Sequence, residues 1–124
     1  MINNVFKYNP LVTIIIPVYN GESYLEDAIN SAISQTYNKI EIIVISDGST
    51  DSSDDIAKSY GDRIRFIRKE NGGVSSVLNL AIAEMKGEWL SWLSHDDIYC
   101  PDKIYDQIKK LNEILDENPS VDIE

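Results

Sequence analysis

Cysteine, histidine and positive charge are all scarce in this sequence. A single cysteine, Cys100, excludes an intrachain disulfide and a thiolate metal cluster. Placed before Pro101, it reads most simply as a small buried hydrophobe. Lys and Arg number 11 against 21 Asp and Glu, a net charge of −10, the opposite of the basic stripe with which nucleic-acid domains meet phosphates. The longest apolar run, around Leu11 to Val18, is far below the ~20 residues of a membrane span. Nothing at the N-terminus has the basic-then-apolar layout of a secretion signal. The expectation is a cytoplasmic domain with no nucleic-acid partner and no transmembrane segment in this chain.

The common phosphate and nucleophile signatures are also missing. No G-x-G-x-x-G follows the first strand and no G-x-x-x-x-G-K-[ST] occurs, so dinucleotide dehydrogenase and P-loop chemistries drop out. No G-x-S-x-G nucleophile elbow is present.

What the chain does contain is a regular alternation. Residues 1–10 are polar and aperiodic and read as a loose leader. Val12 to Ile16 is a β-branched run expected to stop at Pro17, the composition of a strand buried on both faces. Ser23-Tyr24-Leu25-Glu26 has the form of a capping box opening a helix over about 23–35, with Leu25, Ala28, Ile29, Ala32 and Ile33 at helical spacing. A second buried strand, Ile40 to Ser46, runs into Asp47-Gly48-Ser49-Thr50-Asp51 and a polar-faced helix carrying Ile56, Ala57 and Tyr60. Ile64 to Arg68 reads as a shorter strand near an edge, and the turn Glu70-Asn71-Gly72-Gly73 opens a third helix. Its apolar stripe is Val77, Leu78, Ala81, Ile82 and Met85, and Lys86-Gly87 ends it. Trp89 to Leu93 is a fourth strand. Pro101 then fits the first turn of a helix to about Asn118 with Ile104, Ile108, Leu111 and Leu115 inward. This order predicts an α/β domain: a mainly parallel sheet with helices on both faces.

Two of these strands end in acid, and ligands of open α/β sheets bind at strand carboxyl ends. Asp47, followed by Gly48-Ser49, is a turn or cap residue on one reading and a ligand-binding carboxylate on the other. Asp96 and Asp97 repel each other unless hydrogen bonds or a hard divalent cation intervene, and Mg²⁺ or Mn²⁺ suits such oxygens. Asn71-Gly72-Gly73 is either a plain turn or a set of backbone N–H groups, Gly73 among them, offered to an anion. His95, the only histidine, can face the site, stand behind it or be exposed.

Taken in order, Val12-Thr13-Ile14-Ile15-Ile16-Pro17-Val18-Tyr19-Asn20-Gly21-Glu22, Ile45-Ser46-Asp47-Gly48-Ser49-Thr50-Asp51, Asn71-Gly72-Gly73 and Ser94-His95-Asp96-Asp97, the chain resembles the family 2 glycosyltransferases over about residues 11–115. The resemblance implies a GT-A nucleotide-diphospho-sugar transferase fold, Rossmann-like and truncated here. It implies an inverting transfer of sugar from a nucleotide donor, with UDP-sugars the default, to an acceptor hydroxyl. Pro17, Val18, Tyr19 and Glu22 then line the nucleotide pocket, Asp47 accepts from the base, and Gly73, Asn79, His95 and Asp97 complete the donor site. Asp96, at the end of the family's Asp-x-Asp motif, is the position that holds Mg²⁺ or Mn²⁺. Ser94 stands where that motif has its first acid, leaving one carboxylate fewer, and Leu78 stands where the family often has an Arg before Asn79.

The same resemblance places the catalytic base and acceptor site beyond Glu124. Residues 11–124 are then the donor half, binding donor without full activity. The acceptor is a saccharide or a lipid-linked saccharide in cell-surface polysaccharide or oligosaccharide synthesis, reached at the inner face of a membrane through the missing part or the acceptor. Two rivals remain. A receiver-type signalling domain has similar strand-end acids but needs them after its first strand, where this chain has Pro17-Val18-Tyr19-Asn20. A non-catalytic sugar-nucleotide module differs from the enzyme only in its chemistry.

Overall fold

The computed structural model describes residues 6–117; the first five residues of the leader and the expected helix end near Asn118 lie outside the described residues. The elements are β1 (Val12–Val18), α1 (Leu25–Ile33), β2 (Ile40–Asp47), α2 (Ser53–Lys58), a 3₁₀ turn (Gly61–Arg63), β3 (Arg65–Lys69), α3 (Val74–Glu84), β4 (Trp89–Trp92) and α4 (Lys103–Glu117). The four strands form one sheet in the order β3-β2-β1-β4, and every pairing is parallel.

Strand alternation divides the core in two. Val12, Ile14, Ile16, Val18, Ile42 and Val44 turn to one face, where Leu25, Ala28 and Ile29 of α1 and Ile104 and Ile108 of α4 cover them. Ile15, Ile43 and Ile45 turn to the other and meet Val77 and Ala81 of α3. Strands covered on both sides gain nothing from alternating polar residues, which is why β1 and β2 read as continuous apolar runs.

β1 continues through Pro17 instead of stopping before it. Odd-numbered peptides of β1 face β4, since the Leu11 and Ile15 carbonyls accept from the Glu88 and Leu93 N–H groups. Pro17 falls on that side, past the last β1–β4 pair of Ile15 and Trp92, so its absent N–H breaks no ladder bond. The capping box does not form either: no side chain caps α1, and the Gly21 carbonyl accepts from Tyr24 and Leu25 N–H. A backbone turn from Gly21 takes the place of the side-chain cap at the start of α1.

Three further expectations change. Of the α3 stripe, Val77 and Ala81 are buried, whereas Leu78 and Ile82 are 38% and 58% exposed; Leu80 packs partly against the same core, so the helix turns that side of itself to the sheet. Cys100 is exposed, since α4 begins only at Lys103 and the segment before it runs over the surface. Residues 6–10 are irregular but not loose. Phe6 packs on Tyr105, the Tyr8 backbone exchanges two hydrogen bonds with the Asn112 side chain, and the Tyr37 hydroxyl donates to the Pro10 carbonyl.

The two sheet edges differ in charge. On β3, Arg65, Arg68 and Lys69 pair with Glu41 and Glu84, Asp54, and Asp47, which blunts the edge. β4 carries no charged residue and, among the described residues, pairs only with β1. No helix among the described residues is long and apolar enough to cross a membrane.

Candidate functional site

The chain leaves β1 toward β2 on one side and returns through α3 to β4 on the other, so the strand order reverses between β1 and β4. A crevice opens at the carboxyl ends of strands around such a point. It is a cleft of about 240 Å³ lined by Pro17 and Val18 from β1 and Tyr19 just after it, Asp47 from β2, Val74 and Val77 from α3, and Trp92, Ser94, His95 and Asp96 from β4 and the loop after it. Six residues singled out in the sequence therefore converge here: Pro17, Val18, Tyr19, Asp47, His95 and Asp96.

The remaining four do not line it. Glu22 points to the neighbouring loop, where its carboxylate accepts from Ser52 N–H at 2.8 Å. Asn79 lies exposed on α3. Asp97 borders a larger hollow of about 610 Å³ between the outer edge of β4 and α4, whose walls include Trp89, Tyr99 and Lys103 and which lies away from the other strand ends. Gly73 stands behind the cleft: its N–H donates to Asp47 Oδ2 at 3.0 Å.

That last contact corrects the idea that the turn offers free N–H groups to an external anion. Gly72 N–H donates to Asp47 Oδ1 at 2.9 Å, and Gly73, at φ 88°, takes a conformation open to glycine at little cost. The anion held by this turn is the protein's own Asp47 carboxylate. Asp47 ends β2 directly opposite Lys69 at the end of β3, whose Nζ lies 3.0 Å from Oδ1. Burial alone would raise the Asp47 pKa, but the Gly72 N–H, the Lys69 ammonium and the Gly73 N–H together hold it below the usual carboxylate range. Asp47 is thus both the turn residue and a charged wall of the cleft.

The loop after β1 is locked to the loop after β2. Asn20 adopts φ 51°, a left-handed conformation that Asn tolerates better than most residues. Its Oδ1 accepts from Thr50 N–H at 2.7 Å, while its own N–H donates to Ser49 Oγ at 3.1 Å. Gly21 N–H donates to Ser53 Oγ at 3.0 Å, and Glu22 N–H to Asp51 Oδ2 at 3.1 Å. These bonds hold the Pro17–Tyr19 wall against the end of β2. On the opposite side the His95 ring lies flat against Gly21, where a Cβ would come within 2.3 Å of its Cδ2. Tyr19, which lines the opening, leaves 49% of its surface exposed.

Asp96 is exposed, and its carboxylate has no hydrogen-bond or ion-pair partner among the described residues. No group of three or more His, Cys, Asp or Glu converges among those residues, so the protein alone does not build a cation cage. One unengaged carboxylate in a cleft that Ser94 also lines does suit Mg²⁺ or Mn²⁺ shared with a ligand, because such ions are commonly held by one or two carboxylates plus phosphate oxygens. Residue reasoning missed Val74, Trp92 and Lys69. Val74 depends on how α3 crosses the sheet and Trp92 on where β4 ends beside β1, and Lys69 comes to lie beside Asp47 only through the β2–β3 register.

Comparison with known proteins bears on this geometry. The family model described as "Glycosyl transferase family 2" matches residues 13–118. An uncharacterized glycosyltransferase of Rickettsia typhi is 60% identical over 107 residues, covering 86% of this chain and 34% of that protein. The glycosyltransferase GlyA of Streptococcus pneumoniae is 40% identical over 105 residues, covering 82% of this chain and 15% of its own length. Among solved structures, S. aureus TarS superposes with a TM-score of 0.76 at 27% identity, covering 83% of this chain and 20% of TarS. A TarS fragment in complex with UDP gives 0.72 at 25% identity, with coverage of 83% and 32%. The sheet and its helices have the GT-A glycosyltransferase fold of these neighbours, and the chain spans about a third of the length of the Rickettsia typhi relative.

Proposed function

The chain belongs to glycosyl transferase family 2, and on that premise we propose that its cleft is the donor site of an inverting glycosyltransferase, holding the nucleoside diphosphate of a UDP-sugar. The observation that carries this reading is the convergence of four separate segments, Pro17–Tyr19, Asp47, the start of α3 and Ser94–Asp96, on one cleft at the strand carboxyl ends. Such a cleft has an aromatic face for a base in Tyr19, an ionised acceptor for a ring N–H in Asp47, and an unengaged carboxylate for the diphosphate end in Asp96. The UDP complex of TarS, a protein of the same fold, supports uridine diphosphate as the first ligand to try.

Each residue has a distinct part. Tyr19 and Pro17 flank the base, and Asp47, held ionised by its neighbours, accepts from it. His95, pressed on Gly21, walls the cleft and keeps Asp96 at its mouth. Asp96, with Ser94 beside it, would hold Mg²⁺ or Mn²⁺ jointly with the diphosphate. When bound, the cation supplies Lewis-acid neutralisation of the charge that develops on the departing nucleoside diphosphate. Sugar transfer needs a base to deprotonate the acceptor hydroxyl, and we assign that group and the acceptor site to a longer polypeptide, with a saccharide or lipid-linked saccharide as the acceptor.

Thermal unfolding with UDP and Mn²⁺, each alone and together, tests the reading. Both together at about 100 times the dissociation constant should add ~2.7 kcal/mol, several degrees in a domain of this size, and Asp96→Ala should remove the metal-dependent part. A cooperatively unfolding sample that shows no shift with UDP or any other nucleoside diphosphate overturns it.

A further inference from the structure

We propose that Lys69 is a positioning residue that makes the cleft selective for uracil over guanine, by leaving Asp47 a single free acceptor position. This inference rests on the donor-site reading above. A carboxylate offers about four lone-pair directions, two on each oxygen. Asp47 Oδ1 takes two donors, Lys69 Nζ at 3.0 Å and Gly72 N–H at 2.9 Å. Oδ2 takes one, Gly73 N–H at 3.0 Å. One lone pair of Oδ2 remains, on a residue that forms part of the cleft wall.

The hydrogen-bonding edges of the bases differ in how many donors they bring. Uracil presents one N–H between two carbonyls, which one acceptor satisfies. Guanine presents a ring N–H and an exocyclic amino group side by side, and a carboxylate reads that pair by using both oxygens. Here Oδ1 is closed to it. Cytosine offers a ring acceptor at the same place and would face the carboxylate lone pair to lone pair. A guanine in this cleft leaves one donor unpaired, and an unpaired buried polar group costs about 1–3 kcal/mol.

Lys69 is built to stay in place. Its side chain and that of Asp47 are 19% and 10% exposed, the two residues are direct partners at the ends of β3 and β2, and Nζ also donates to the Glu70 carbonyl. Nζ does not line the cleft, so Lys69 acts through Asp47 and not on the ligand. Released from Lys69, the carboxylate has an acceptor free on each oxygen and can turn both toward a guanine edge.

The test is titration of the chain with UDP and GDP in Mn²⁺, for wild type, Lys69→Met and Lys69→Arg. The two ligands share their diphosphate, so the ratio of their affinities cancels the metal and phosphate contributions and reports the base alone. The wild type should prefer UDP by about tenfold or more, Lys69→Met should lower that ratio by about tenfold, and Lys69→Arg, which keeps a cation on Oδ1, should retain the preference. Equal weakening of both nucleotides by Lys69→Met, with the ratio unchanged, means a purely structural role and overturns the proposal. If Lys69→Met does not fold, a wild type and Lys69→Arg that bind both nucleotides equally overturn it as well. Binding of neither nucleotide by folded wild type is a different result, and it overturns the donor-site reading on which the proposal rests.

Discussion

Single atoms decide how this cleft is shaped. Gly21 is glycine because the His95 ring occupies the space of a side chain, with Cδ2 within 2.3 Å of where a Cβ would sit. Gly21→Ala therefore forces the ring, and the Ser94–Asp96 loop with it, away from the cleft wall. It should lower stability by about 1–3 kcal/mol, the usual cost of overpacking, measured by denaturant unfolding, and also weaken nucleotide binding. Unchanged stability together with unchanged binding would show that the loop shifts freely. Asp47 illustrates how a residue can serve two arrangements at once: three intramolecular donors hold it as a turn residue, and the carboxylate they leave partly free lines the cleft.

At the scale of elements, α3 is the instructive case. Its sequence shows one broad apolar stripe, yet of that stripe only Val77 and Ala81 are buried, Leu80 packs partly against the core beside them, and Leu78 and Ile82 are exposed. Ile82→Lys should change stability by no more than about 0.5 kcal/mol, the range of surface substitutions. Ile43→Ala, beneath the same helix and fully buried, should cost about 2–5 kcal/mol. Urea unfolding of the two variants side by side checks the contrast, and comparable losses would mean that Ile82 is covered. The β4 edge follows a related logic, because a strand of Trp, Leu and Ser has no charge to discourage pairing whereas β3 has three cations.

Across the whole molecule, the two-sided sheet is joined at its periphery by bonds between distant segments. Residues 6–10 are tied to α4 through Asn112 and to the buried face through Tyr37, whose hydroxyl donates to the Pro10 carbonyl at 2.5 Å. Burial, with the nearby Tyr8 and Glu88, pushes the Tyr37 pKa up to about 12 from 10.0. A folded-state pKa raised above its unfolded value gives stability that is complete below pH 10 and is lost as pH rises from 10.0 toward about 12. Stability measured across that window should fall for the wild type and fall less steeply for Tyr37→Phe. Parallel curves would show that the phenol does not titrate with unfolding.

Much of this protein is determined locally. Runs such as Ile42 to Ile45 are short, β-branched and apolar without alternation, the composition of strands covered on both faces, and right-handed crossovers leave few topologies. The strand-end acids Asp47 and Asp96 were legible for the same reason, since the ends of parallel strands share one side of the sheet. Features that depend on which segments meet were not legible. The tolerance of Pro17 within β1 depends on β4 ending at Trp92, the exposure of Cys100 on where α4 begins, and the closure of the Gly72–Gly73 turn on its own protein's carboxylate. The role of Lys69 depends on the β2–β3 register. Chemistry and periodicity are properties of neighbouring residues in the chain, whereas hydrogen-bond partners and free lone pairs are properties of neighbours in space, so the sequence alone determined the fold class and the carboxylates, and only the tertiary structure decided which of their atoms remain open to a ligand.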